Sequence, residues 1–149
     1  MTAAHNETLH APPHADVVGI DCGSAALTAH VYSWLTVITI AGDIDATNAD
    51  LVAHQAVELV PDDRALIVDM ADVGFIGVDG VRALFAMNTE CIRTDVRWAL
   101  ISSRAVERLL RVGDGERLVP AVRSATEALH VVRRRDRRGG PLTLVKSAS

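Results

Sequence analysis

The sequence predicts an α/β domain: a mixed β-sheet opened by a β-hairpin, with helices packed on it. Three observations carry this. Two β-branched stretches, Ala25–Val31 and Leu35–Ile40, flank a turn near Tyr32-Ser33 and read as a hairpin. A continuous apolar run, Ala65–Val68, reads as a strand buried on both faces. After the hairpin, helical and strand patterns alternate to the end of the ordered region, as in sheets with crossover helices.

In chain order, the hairpin delivers the chain to Gly42-Asp43-Ile44-Asp45, an acidic tip. Thr47-Asn48-Ala49-Asp50 has the form of a helix start, a hydroxyl at the cap and an acid three positions on. Val52, Ala56 and Leu59 give that helix one apolar face, and Pro61-Asp62-Asp63 ends it. The buried strand follows, then a loop ending in Gly77-Val78-Asp79-Gly80. Next comes a helix whose inner face is read at Val81, Leu84, Phe85, Asn88 and Ile92. Val96–Ile101 is a further strand, and Ser102-Ser103 opens a helix carrying Val106, Leu109 and Leu110 that Gly113 ends. Leu118-Val119-Pro120 reads as a short last strand, and Ser124–Glu127 leads into a final helix through Leu129, Val131 and Val132.

With 149 residues the chain holds one domain with a real core. Residues 1–22 read as a disordered leader, 23–132 as the domain and 133–149 as a basic tail. The leader's His5, His10 and His14 lack acidic or thiol partners, so no metal and no cofactor is expected. The apolar segments are too short to cross a bilayer, and Met1–Glu7 does not resemble a signal peptide. A cytoplasmic protein is expected, with Cys22 and Cys91 as free thiols. The net charge of −4 conceals the basic run Arg133–Arg138. Without a helix-turn-helix or aromatic companion it reads as a solvated tail, so no nucleic-acid partner is expected. No phosphate loop, HExxH or nucleophile elbow occurs, and His30, His54 and His130 have no evident nucleophile partner. An enzyme is not expected, and Trp34 and Trp98 read as packing residues.

Three segments together resemble the STAS domain, and within it the stand-alone anti-sigma factor antagonists of bacteria. Leu35–Asn48, LTVITIAGDIDATN, is similar to the family's strand, Gly-Glu-Leu-Asp and helix. Ala65–Leu84, ALIVDMADVGFIGVDGVRAL, is similar to its buried strand followed by Asp-Ser-Ser-Gly-Leu. Val96–Leu129, with SSRAVERLLRVGDGERLVPAVRSATEAL, resembles its ending. The resemblance implies a non-enzymatic STAS-like fold that binds an anti-sigma factor, typically a serine protein kinase, and so frees a sigma factor. In the family that kinase phosphorylates a serine at the start of the central helix and ends the binding. Here the acceptor position is Asp79 and the preceding serine is Val78, so the usual serine switch has no hydroxyl to act on. The partner surface implied comprises Asp43, Asp45, Thr47, Asn48, Gly77, Val78, Asp79, Gly80 and Arg82.

Asp79 admits three readings. It caps the helix, worth about 1 kcal/mol over Ala and no better than Ser would. It imitates phosphoserine in part, with one charge against about −1.5 to −2 and two oxygens against three. Or it accepts a phosphate itself, as in receiver domains. Against the last, a receiver's acceptor ends the strand, which would select Asp69, and needs a lysine where this chain has only Lys146. Asp43 and Asp45 likewise suit a magnesium ion, a turn with a helix cap, or a partner's basic patch, and the partner surface is the reading adopted. A STAS module of another assembly, a transporter or a stress-signalling complex, is the alternative.

Overall fold

A computed structural model describes residues 16–113 and 115–133. Seven strands form one sheet: β1 (Asp16–Cys22), β2 (Ala25–Val31), β3 (Leu35–Ile44), β4 (Ala65–Asp69), β5 (Val73–Ile76), β6 (Trp98–Ile101) and β7 (Ala121–Val122). Their order is β1-β2-β3-β4-β6-β7, with β5 pairing β3 off this path. β2 is antiparallel to both of its neighbours, β1 and β3, and every later pairing is parallel. Helices α1 (Ala49–Glu58), α2 (Val81–Thr94) and α3 (Arg104–Val112) follow β3, β5 and β6. A fourth helix, α4, spans residues 125–133.

The sheet is covered on both faces, which is why β4 is buried at all five positions. Leu66, Val68 and Met70 point to one side, where Val52, Ala56, Leu84, Met87, Val106 and Leu110 complete the larger core. Ala65 and Ile67 point to the other, against Ala125, Ala128 and Val132 of α4. Cys22 and Cys91 are buried free thiols in the larger core. Burial, with Glu90 nearby, pushes the Cys91 thiol up to about 12, so it stays protonated and inert. Trp98 is buried with its indole N–H donating to Asn88 Oδ1 at 3.1 Å.

Five expectations need correction. Residues 16–22, assigned to the leader, form β1, which runs alongside β2 over its whole length. A two-residue loop joins them, with Gly23 at φ +73 and its N–H bonded to Asp21 Oδ1 at 3.1 Å. Val17 and Val18 lie on opposite faces and are both exposed, so β1 lacks the alternation that marks a half-buried strand. β5 was read as loop: it has four residues, of which Gly74 and Phe75 are exposed, and it exists because β3 overruns β4 and offers it an edge. The last strand lies beyond Pro120, at Ala121–Val122, because the N–H groups of Leu118 and Val119 bond back to Gly115 O. On α2 the expected Val81, Leu84 and Phe85 do pack on the core, but Ala83, Met87 and Cys91 supply the rest of the buried face and Ile92 is 72% exposed. Finally, Arg133, counted with the tail, ends α4 and lies over the Trp34 ring at 5.3 Å. The remaining leader, including its three histidines, and residues 134–149 with Lys146 fall outside the described residues.

Candidate functional site

The site is built where β3 outruns the rest of the sheet. β3 pairs β4 as far as Thr39↔Asp69, then continues to Ile44. At Gly42 the backbone takes φ +106, the register shifts, and the edge passes from β4 to β5. There Asp43 pairs with Phe75 and Ile44 with Ile76, and Gly77 N donates to Ile44 O at 2.8 Å. The acidic tip and the 77–80 segment therefore stand side by side as two ends of one ladder. Gly80 sits over this joint: a Cβ there would come within 2.6 Å of Ile76 Cγ1 and 3.0 Å of Ile44 Cγ2.

Asn48 pins the acidic tip. It is buried, and its Nδ2 donates to Cys22 O and Asp43 O, each at 3.0 Å, while its Oδ1 accepts Asp45 N at 2.9 Å. One amide thus ties the β1–β2 turn, the end of β3 and the start of α1 together. Asp45 Oδ1 accepts from both Thr47 N (2.9 Å) and Thr47 Oγ1 (2.5 Å). The Thr47 hydroxyl, then its N–H, hold the Asp45 carboxyl below its usual range, so it is charged at neutral pH. The expected hydroxyl cap is not formed: α1 begins after Asn48, whose side chain does not cap it. Replacing Asn48 with Ala leaves two carbonyls and one N–H without this partner. The expected loss is about 2–3 kcal/mol in urea denaturation, and a change below 0.5 kcal/mol would show that the amide is not the pin.

Asp79 lies inside a short 3-10 turn, Val78–Gly80, that leads directly into α2. The capping positions are Gly77 for the turn and Gly80 for α2, neither with a side-chain cap, so Asp79 is not the cap. Its side chain is 48% exposed and faces Arg82 Nη2 at 3.6 Å. The same nitrogen lies 3.2 Å from Asp50 Oδ1 on α1. Such exposed pairs contribute little to stability, but they set the local charge pattern, with Asp50 and Asp79 sharing Arg82. Beside them Phe75 is 52% and Val78 75% exposed. All nine residues singled out in the sequence gather at this end of the sheet. Asp43, Thr47, Val78 and Arg82 are exposed, Asp45, Gly77 and Asp79 half-buried, and Asn48 and Gly80 buried. Reading the sequence missed Phe75 and Asp50. Phe75 is one of two phenylalanines in the chain and lies in the short Gly74-Phe75-Ile76-Gly77 segment, which was the available signal. Among the described residues no cluster of three or more His, Cys, Asp or Glu is placed to hold a metal. No helix among them is long and apolar enough to cross a membrane.

A mixed sheet opened by antiparallel strands, with an acidic tip beside the start of the central helix, can be compared with known proteins. The model of the STAS domain matches residues 26–128. This chain belongs to the STAS family. The chain is also similar to Osmosensory protein A of Mycobacterium tuberculosis (strain ATCC 25618 / H37Rv). The two are 29% identical over 115 residues, covering 74% of this chain and 73% of that protein. Its fold also matches an anti-sigma factor antagonist from Mycobacterium paratuberculosis, with TM-score 0.61 and 21% identity, over 83% of this chain and 97% of the other. A putative anti-sigma factor antagonist from Thermotoga maritima matches with TM-score 0.55 and 18% identity, over 65% of this chain and 87% of the other. SLC26A9 contains a similar STAS fold: TM-score 0.57 and 17% identity, over 74% of this chain but 21% of that protein. At these identities the solved structures bear on the fold alone.

Proposed function

We propose that this STAS protein is an anti-sigma factor antagonist, a bacterial cytoplasmic binding protein and not an enzyme. It docks the carboxyl ends of β3 and β5 on an anti-sigma factor of the serine-kinase type and thereby regulates transcription. The observation that carries the reading is the platform itself. Phe75 on β5 and Val78 in the turn before α2 present exposed apolar surface, with Asp43 paired to Phe75 across the ladder and Asp79 and Asp50 sharing Arg82 just beyond Val78 in the chain. An exposed apolar centre with a charged rim is the composition of a specific protein interface. On this reading Asp79 stands where the serine-switched antagonists carry the phosphoacceptor. A carboxylate cannot take phosphate from a serine kinase, so the binding state of this protein is not set by that switch. Asp79 shares Arg82 with Asp50, so part of its charge is already compensated within the chain.

The test is a pull-down of the wild-type protein, Asp79→Ser and Asp79→Ala against the anti-sigma kinases of the source cell. Wild type is expected to retain a kinase, and Asp79→Ser to become a phosphate acceptor that loses the kinase once modified. If Asp79→Ala binds about tenfold tighter than wild type, Asp79 acts as a partial phosphoserine mimic. Equal binding of the two assigns it to the charged rim. If none of the three forms retains any such kinase, the reading fails.

The receiver-like reading loses ground on geometry. Asp69, the residue it would select, is buried with its carboxylate accepting Ala71 N at 3.0 Å. The module-of-a-transporter reading has the SLC26A9 fold likeness on its side, and recovery of a permease in the same pull-down would favour it.

A further inference from the structure

β1 is the outermost strand of the sheet, and among the described residues its outer edge pairs with no other strand. Its inner edge runs in unbroken register with β2, from Asp16↔Val31 to Cys22↔Ala25. Because Gly23-Ser24 is a two-residue loop, Cys22 and Ala25 form a hydrogen-bonded pair and the pairs alternate from there. The N–H and C=O groups of Val17, Gly19 and Asp21 therefore point away from the sheet. Edge strands are commonly guarded by charged side chains, above all lysine, by proline, by a bulge or by a covering element. β1 has no lysine, no proline and no bulge, its charges are Asp16 and Asp21 towards its two ends, and Val17 and Val18 between them are 58% and 43% exposed.

We infer that a second copy of this chain adds to the sheet at β1, antiparallel, with Gly19 on the two-fold axis. Charge favours a second copy in this register, since each Asp21 faces the partner's Val17 and the two Asp21 positions lie about 14 Å apart. Only pairing about Gly19 engages all seven residues, and it sets the outward groups of Val17, Gly19 and Asp21 against their own counterparts, giving about six hydrogen bonds. It places Val18 opposite the partner's Ile20 on the face that carries Ala29 and Leu27 of β2, so four aliphatic side chains leave water together. Gly19 has no side chain at the axis, and nothing lies within 4 Å of where its Cβ would be. β1 runs in the same direction as β3, since each is antiparallel to β2. Antiparallel pairing of two β1 strands therefore sends the two Asp79 platforms to opposite ends of the continuous sheet and leaves both uncovered. The inference stands whether or not the platform binds an anti-sigma factor.

One strand edge is a small interface, so the dimer is expected to be weak, forming at tens to hundreds of micromolar, as flagged by interface size. Sedimentation equilibrium of the full chain from about 5 to about 500 μM should show the mass rising from one chain towards two. Gly19→Pro removes only an outward N–H, a change an edge strand tolerates. It should remain a monomer throughout with an unchanged unfolding midpoint. Val18→Lys, on an exposed side chain, should do the same if proline disturbs the strand. Gly19→Cys should cross-link under mild oxidation, because residues opposite each other in a hydrogen-bonded pair are about 5.5 Å apart, within disulfide reach. Val17→Cys should not, because the two copies of that position lie about 14 Å apart. The inference is overturned by a single-chain mass at every concentration. It is equally overturned if Gly19→Pro and Val18→Lys dimerise as wild type does, or if Val17→Cys cross-links as readily as Gly19→Cys. A monomer whose Val17, Gly19 and Asp21 amides resist hydrogen exchange would show that another part of the chain covers the edge, which also refutes it.

Discussion

Gly42→Ala is expected to cost about 2–6 kcal/mol of folding stability, the sum of two independent penalties. The first is conformational. Gly42 holds φ +106, a region that residues with a Cβ avoid at a cost of about 1–3 kcal/mol. The second is steric. A Cβ on Gly42 would stand 2.2 Å from Ser24 O and 3.0 Å from Ala25 Cα, both backbone atoms of the neighbouring hairpin. Backbone cannot swing aside as a flexible side chain does, so strand β2 or the end of β3 must shift, at about 1–3 kcal/mol. Asp43 N donates to Ser24 O at 2.9 Å, so the same shift disturbs the acidic tip. Urea denaturation monitored by tryptophan fluorescence measures the loss. Gly113→Ala is the control: its φ is −95 and nothing lies within 4 Å of its Cβ, so it should change stability by no more than about 0.5 kcal/mol. Equal effects of the two substitutions would show that the turn at Gly42 is not under the constraint described.

The second large effect concerns binding. Truncating Phe75 and Val78 together to alanine is expected to weaken the proposed complex with an anti-sigma factor about a hundredfold, about 2.7 kcal/mol. Exposed apolar side chains at the centre of a charged rim are where interfaces concentrate their energy, whereas rim charges act chiefly on association rate and salt dependence. The folded state should lose about 1 kcal/mol or less, because both side chains are more than half exposed. Titration calorimetry of the double variant against the partner recovered in the pull-down measures the first quantity and urea denaturation the second. An affinity within threefold of wild type would remove Phe75 and Val78 from the interface.

The parts of the fold that were legible in the sequence are those whose burial is one-sided or complete. β4 reads as an unbroken apolar run because helices cover the sheet on both faces, and every residue from Ala65 to Asp69 is buried. Ser103 announced α3 because its hydroxyl does cap, accepting Val106 N at 3.2 Å. β1, β5 and the inner face of α2 were not legible for the opposite reason. β1 is exposed on both faces at Val17 and Val18, and β5 shows only Val73 and Ile76 to the core. Both strands are held by main-chain hydrogen bonds to β2 and β3, and main-chain bonds leave no side-chain pattern. On α2 the buried stripe uses Ala83, Met87 and Cys91, small or unbranched residues that stand out less than the exposed Ile92.

The same division runs through the site. Sequence by itself determined that an acidic tip follows one strand, that Asp79 precedes the central helix, and that no hydroxyl occupies its position or the one before it. Those statements depend only on local order along the chain. Tertiary structure alone decided that Asn48 points inwards as a pin, that Asp79 turns to Arg82 and leaves capping to backbone, and that Phe75 joins Val78 on the surface. Each of these depends on β3 outrunning β4 and turning at Gly42, which brings segments some thirty residues apart into one ladder. The choice between solvent and core for a side chain there is made by what packs behind it, and the neighbours along the chain do not carry that information.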